Sequence, residues 1–407
     1  MSASISPTDV PSPYTIPPPS VPPPEEPNSS LPPIPLLLLD HSKSLSPATK
    51  PEFLYWLRMA ILYHGSFYLT NTGIPEELTD QMAKSAEELF NIGDDEKGKC
   101  SVNHSSGFLG WCGIVDGECR ETWEFGPDLD GKQASSNAPL YARLRYAPNQ
   151  YPSEAALPNF KGMLKGYNKF LTDLAFMYNE LILEALGVPT GAFDGYFDEE
   201  AKLGGRIKFS RYFRGEDPKQ YGEAPYRDAW LSFLMFANDV PGVEMLSEKR
   251  QTLTLPPLPS TLLVQTGTAL SFATHHAVLS LPHRVLQPPP DAPDALTIRY
   301  AMQLRPNLPY DDILKGIEGA ENMNEEAKRV RDQRRERRKR GFEAVRKVVA
   351  GIRAFKGTGK ATESTSKEAS KLETVGDADL YRRIKSRPTV GKKWYPEISV
   401  ESVPASS

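Results

Sequence analysis

From residue 206 onward the chain is a series of short apolar, β-branched and aromatic runs, each cut off by proline or glycine. "RIKFSRYF", "TLTLPPLPSTLLVQTGTALSFAT", "RVLQP" and "LTIRYAMQL" make up that series. Many short strands at even spacing, with breakers between them, predict a barrel or jelly roll.

The region before it alternates differently. "IPLLLLD", from Ile34 to Asp40, reads as a short buried strand. "PEFLYWLRMAILYHG" has apolar residues at helical spacing and stops at Gly65, a suitable helix terminus. "SFYLTN" follows as a strand closed by "TGIP", and "EELTDQMAKSAEELFNI" as an amphipathic helix. "FKGMLKGYNKFLTDLAFMYNELILEALGVP" predicts one long helix with a Gly-Val-Pro stop, its aromatics and Met177 being assigned to the core.

Composition bounds the rest. The 407 residues suit one large domain or two fused ones with flexible ends. Residues 1–35 hold 13 prolines and little apolar content, so residues 1–33 are expected to be disordered or polyproline-II. Cys100, Cys112 and Cys119 show neither paired spacing nor an even count, which reads as reduced thiols of an intracellular protein. No apolar run approaches the roughly 18 residues needed to span a bilayer, and no secretory signal is visible. The expectation is a cytoplasmic protein, with a nuclear location as the alternative.

The net charge of -4 is unevenly spread: residues 311–407 carry 23 Lys+Arg against 16 Asp+Glu, so the remainder is acidic. An acidic body argues against nucleic-acid binding by the main domain. The run "KRVRDQRRERRKR" at 328–340 has nine basic residues in thirteen and continues into a helical pattern with Phe342, Val345, Val349 and Ile352 on one face. A charged helix over 311–356 packed on the domain is one reading, and a contact for an acidic partner or import factor is the other. Residues 357–407 are expected to be mostly disordered, with "KKWYPEISV" able to dock.

Three strings carry chemistry. "YRDAWLSFLMFANDVPGVEML" contains Asp228, "SLPHRVLQP" contains His283 55 residues later, and "LTIRYAMQL" contains Arg299. Together they resemble the core of the isopenicillin-N-synthase-like Fe(II)/2-oxoglutarate-dependent oxygenases, which carry H-x-D, a distant His and then R-x-S. "HGSFYLTNTGIP" resembles the N-terminal region of that family, with Asn71, Gly73 and Ile74 matching and Thr72 in a His position. "GFLGWCG" and "RETWEFGPD" resemble its Gly-aromatic turn and Glu-rich strand.

The resemblance covers roughly residues 34–306. It implies a mostly β fold with α: a double-stranded β-helix (jelly roll) core at 191–310, with an N-terminal helical and strand region at 34–190 packed around it. It also implies Fe(II) held by Asp228 and His283, 2-oxoglutarate gripped by Arg299, and oxidation of a small organic substrate such as a secondary metabolite. Two imidazoles and one carboxylate suit non-haem Fe(II) because they leave positions open, and residues i and i+2 of a strand point the same way.

Here the first His position holds Tyr226 and the Ser position holds Ala301. Tyr226 either ligates as phenolate or plugs the pocket and hydrogen-bonds to Asp228. His275 and His276 fall at the turn before the His283 strand, away from the pocket. Ala301 cannot supply the hydroxyl, whose loss costs about 1.5–3 kcal/mol at a charged group. Two functions stay open: an active oxidoreductase, or a degenerate member serving as a binding or scaffold module or in non-redox chemistry.

Overall fold

The computed structural model describes residues 35–114, 118–129, 131–248, 251–355 and 373–398, the 341–355 stretch by its backbone alone. The proline-rich 1–33 segment lies outside the described residues, as do Phe342, Val345, Val349 and Ile352 as side chains.

The strands are β1 Leu38–Asp40, β2 Ser66–Thr70, β3 Gly110–Cys112, β4 Arg120–Phe125, β5 Arg206–Tyr212 and β6 Glu223–Tyr226. They continue as β7 Leu231–Phe236, β8 Val243–Leu246, β9 Thr252–Thr254, β10 Leu262–Thr266, β11 His283–Val285 and β12 Ala295–Ala301. One sheet runs β1-β2-β10-β7-β12-β5-β4-β3, and a second runs β6-β11-β8-β9. More residues lie in helices than in strands, yet the strands build the centre.

Strand alternation sorts each side chain to one of two faces. Ile207 and Phe209 of β5, Phe233 and Met235 of β7, Val264 of β10 and Ile298 and Tyr300 of β12 share a core with the Phe160–Leu186 helix. On the opposite face Tyr68, Tyr212, Leu234 and Leu263 meet Val243, Met245 and Val285 of the small sheet. Two facing sheets with helices outside are the jelly roll that strand spacing predicts. The inward positions not filled by that apolar cluster carry polar side chains, and these form the site.

Several expectations need correction. The first strand is shorter than Ile34–Asp40, because only Leu38–Asp40 pairs with β2. The helix Lys50–Met59 continues as a π-helical turn over Ala60–His64 before Gly65 ends it at φ 66°, a conformation open to glycine. "TALSFA" is helix, Thr268–Ala273, not strand. Met177 is 40% exposed, whereas Phe160, Tyr167 and Tyr178 of the same helix are buried.

The C-terminal part is more ordered than its composition suggests. Helix Glu325–Phe355 includes the whole basic run. Arg334 is buried, and its guanidinium donates to the carbonyls of Leu62 and Ala277. Of the tail expected to be mostly disordered, Val375–Ser386 and Pro388–Trp394 are helices. Leu380, Ile384, Val390 and Tyr395 pack on Val102, Phe108 and Leu144, and Arg383 pairs with Asp379 and with Glu124 of β4.

Candidate active site

Sheet register brings the sequence-predicted residues together. His283 lies opposite Tyr226 on one side and Met245 on the other. Arg299 lies opposite Lys208 of β5, and Ser232 of β7 lies opposite both Ala301 and Gln265. Asp228 follows β6 in a short connection to β7. The amides of Thr268 and Ala269 donate to the carbonyls of Asp228 and Ala229, both at 2.8 Å, and hold that connection. A side chain at Gly267 would run into the Ala229 backbone, so glycine is what permits the approach.

Asp228 Oδ2 is the centre of the arrangement. It accepts from Ser232 Oγ at 2.7 Å and from Arg299 Nη1 at 3.0 Å, and lies 3.7 Å from His283 Nε2. Arg299 Nη1 also reaches Gln265 Oε1 at 2.7 Å and Ser232 Oγ at 3.1 Å. The Tyr226 ring sits edge-on to the His283 ring at 4.2 Å, with Lys208 5.5 Å and Arg299 5.6 Å from its centroid. Deeper in, Glu223 binds Lys208 at 2.7 Å and Tyr212 Oη at 2.9 Å and pairs with Arg120.

Three buried polar atoms of this cluster have no hydrogen-bond partner among the described residues: Tyr226 Oη, His283 Nε2 and Arg299 Nη2. Buried polar groups are normally paired, so three orphans on touching residues mark a place built to receive a group. The expected bond from Tyr226 to Asp228 is not formed, although the ring does occupy the space beside His283.

Protonation follows from burial and charge. Burial, then Arg299, pushes His283 down to about 4, which leaves a neutral imidazole able to donate a lone pair. Burial alone would raise Asp228, but Arg299 and His283 outweigh it and hold the carboxyl below its usual range. Burial drives Tyr226 well above 10 against the pull of Arg299, so its phenol stays protonated at neutral pH.

Ser232, Gln265, Lys208 and Glu223 were not singled out from sequence. For Ser232 and Gln265 the one signal is a polar residue inside an otherwise apolar strand, as with Gln265 in "TLLVQT", whereas Lys208 and Glu223 sit in strands of mixed polarity that give no such signal. Ser232 in part answers the loss at Ala301, because it puts a hydroxyl against Arg299 from the neighbouring strand. His275 and His276 lie after the Thr268–Ala273 helix against Gly316 and the Glu325–Phe355 helix, away from the cluster.

The donor set suits a divalent ion in two of its three positions. Imidazole and carboxylate donors sit roughly 2.1 Å from a zinc-sized ion, so two on one ion are at most about 4.2 Å apart. The 3.7 Å between His283 Nε2 and Asp228 Oδ2 meets that limit. The third position is a neutral phenol, a weak donor.

Family models match both halves of the chain. Residues 34–154 match the N-terminal domain of the non-haem dioxygenases in morphine synthesis, and residues 206–305 match the 2OG-Fe(II) oxygenase superfamily. A 2-oxoglutarate-dependent dioxygenase, frbJ, of Dothideomycetidae sp. is 30% identical over 372 residues, covering 89% of this chain and 92% of its own. The chain belongs to the 2-oxoglutarate/Fe(II) oxygenase family. A 2-oxoglutarate-dependent dioxygenase of Gibberella zeae is 24% identical over 381 residues, covering 89% of this chain and 91% of its own.

A full-length Neurospora crassa protein, solved in complex with alpha-KG, shares the fold at a TM-score of 0.60 and 16% identity, over 73% of this chain and 96% of that one. The oxygenase family is one of Fe(II)- and 2-oxoglutarate-using oxidoreductases, and the jelly roll expected from the strand pattern is its fold.

Proposed function

We propose that the protein is an Fe(II)/2-oxoglutarate oxidoreductase acting on a small organic molecule, with Asp228 and His283 as its metal donors and Arg299 as its 2-oxoglutarate carboxylate contact. The observation that carries this reading is the orphaned His283 Nε2 facing Asp228 Oδ2 at 3.7 Å, inside the jelly roll and beside Arg299. When bound, Fe(II) with 2-oxoglutarate supplies the oxygen-activating chemistry.

The chain's own residues do the rest. Neutral His283 and ionised Asp228 present one lone-pair donor and one negative charge on the same side. Arg299 offers a planar fork suited to a carboxylate, with Nη2 free to donate. Gln265 and Ser232 fix the orientation of that fork. Tyr226 keeps its proton and lines the space beside His283 with an aromatic edge and a hydroxyl, which narrows the room for water.

The test is an anaerobic titration of metal-stripped protein with Fe(II) and then 2-oxoglutarate, read by the visible charge-transfer band. Succinate release in air is measured alongside. A band with succinate formation supports the reading. A protein that binds neither ion nor cosubstrate and yields no succinate is a catalytically silent member of the family, and the reading fails.

A further inference from the structure

We propose that Arg299 is a latch on Asp228, so that a divalent ion binds tightly only once a dicarboxylate has drawn the guanidinium away. The latch rests on the oxygenase reading above and goes beyond it, because Arg299 gains a second, metal-controlling role.

One oxygen is decisive. Asp228 Oδ2 is the atom that faces His283, and it already accepts from Ser232 Oγ at 2.7 Å and Arg299 Nη1 at 3.0 Å. A carboxylate oxygen has two lone pairs, and these two donors use both. An ion placed between Oδ2 and His283 Nε2 would also meet the positive guanidinium one hydrogen bond away. Burial sharpens that repulsion: Arg299 is 4% and His283 2% exposed.

The same guanidinium is ready to receive a different anion. Arg299 Nη2 is buried with no partner among the described residues. Arg120 and Lys208 are held by Glu118 and Glu223, which leaves Arg299 with Asp228 as its close carboxylate partner among the described residues. A carboxylate arriving at Nη2 therefore competes with Asp228 for the fork. Gln265 Oε1 and Ser232 Oγ remain as acceptors for Nη1 when Oδ2 is released. Binding of ion and dicarboxylate is therefore positively coupled through Arg299, and the coupling is reciprocal.

The probe must separate this coupling from direct chelation of the metal by a 2-oxo acid. Glutarate has both carboxylates and no oxo group, so it serves as the dicarboxylate, and Mn(II) followed by electron paramagnetic resonance serves as the ion. In the full-length protein, saturating glutarate is expected to tighten Mn(II) binding about tenfold, within the roughly 5–150-fold span usual for coupled sites. Arg299→Gln is expected to bind Mn(II) alone as tightly as wild type does with glutarate, and to ignore glutarate. A residue that only positions the cosubstrate would leave the affinity for Mn(II) alone unchanged on substitution.

Ser232→Ala removes the other bond to Oδ2 and should shift Mn(II) affinity in the same direction by less. With the wild-type glutarate series, it decides the matter if Arg299→Gln does not fold. Mn(II) binding that neither glutarate nor these substitutions alter overturns the latch and leaves the oxygenase reading standing. No Mn(II) binding in any arm overturns both.

Discussion

Arg299 and Asp228, 71 residues apart, form a buried ion pair with Nη1 3.0 Å from Oδ2. Each is the other's closest opposite charge inside the jelly roll, so neither can be removed alone without leaving an uncompensated charge. Asp228→Ala is expected to destabilise the fold by about 3–5 kcal/mol, the usual cost of breaking a buried pair. Adding Arg299→Met to Asp228→Ala should restore much of that loss. Urea unfolding of the two variants checks both statements, and a single variant as stable as wild type would contradict the ion-pair argument.

Tyr226→His should complete the donor set. The new imidazole starts from a position directly opposite His283 across β6 and β11. Replacing a neutral phenol by an imidazole is expected to raise Fe(II) affinity by at least about tenfold, or roughly 1.4 kcal/mol. Anaerobic Fe(II) titration in the presence of 2-oxoglutarate reads the gain. Equal affinities in the two proteins would mean that Tyr226 already ligates.

Acid should loosen the C-terminal helices before the sheets. Burial alone would raise the Glu124 carboxyl, but Arg206 and then Arg383 bring it down to about 2. A carboxyl depressed in the folded state contributes its full stability above its unfolded value, near 4.5, and loses it as the pH falls toward about 2. We expect the protection of the Val375–Ser386 amides, taken relative to their intrinsic exchange at each pH, to fall across that window. Glu124→Gln should show a flatter pH response there and a lower stability at pH 7, since among the described residues Arg383 then keeps Asp379 alone as a carboxylate partner.

The basic helix should be held by one arginine rather than by its overall charge. Arg334 donates to the carbonyls of Leu62 and Ala277 and pairs with Glu248, while Arg337 is exposed. Arg334→Ala is expected to cost about 1–3 kcal/mol, since it strips charged hydrogen bonds from buried acceptors. Arg337→Ala should stay within about 0.5 kcal/mol. Thermal unfolding of the two variants, run side by side, makes the comparison; equal effects would mean that the helix is held by diffuse charge.

Much of the site was legible because the motif strings keep their spacing. Asp228 and His283 could be assigned to one pocket from sequence, and the structure places them 3.7 Å apart. Ser232 and Gln265 could not be found that way, because their meaning comes from lying opposite one another in paired strands. Tyr226 shows the limit from the other side: sequence left it as either a ligand or a plug bonded to Asp228, and its hydroxyl finds no partner among the described residues. Whether a phenol reaches a carboxylate depends on the turn between β6 and β7, which no spacing rule encodes.

The sequence by itself determined the periodicities: short broken strands that must close on one another, a long amphipathic helix, and the order of Asp228, His283 and Arg299. Those follow from local alternation and from the residues that end each element, which act over a few neighbours. Tertiary structure alone decided that Arg299 is engaged by Asp228, that Ser232 puts a hydroxyl against Arg299 from the neighbouring strand, and that the tail folds back through Arg383. These are contacts between distant segments, and they arise only once burial forces each buried charge to find the nearest opposite charge.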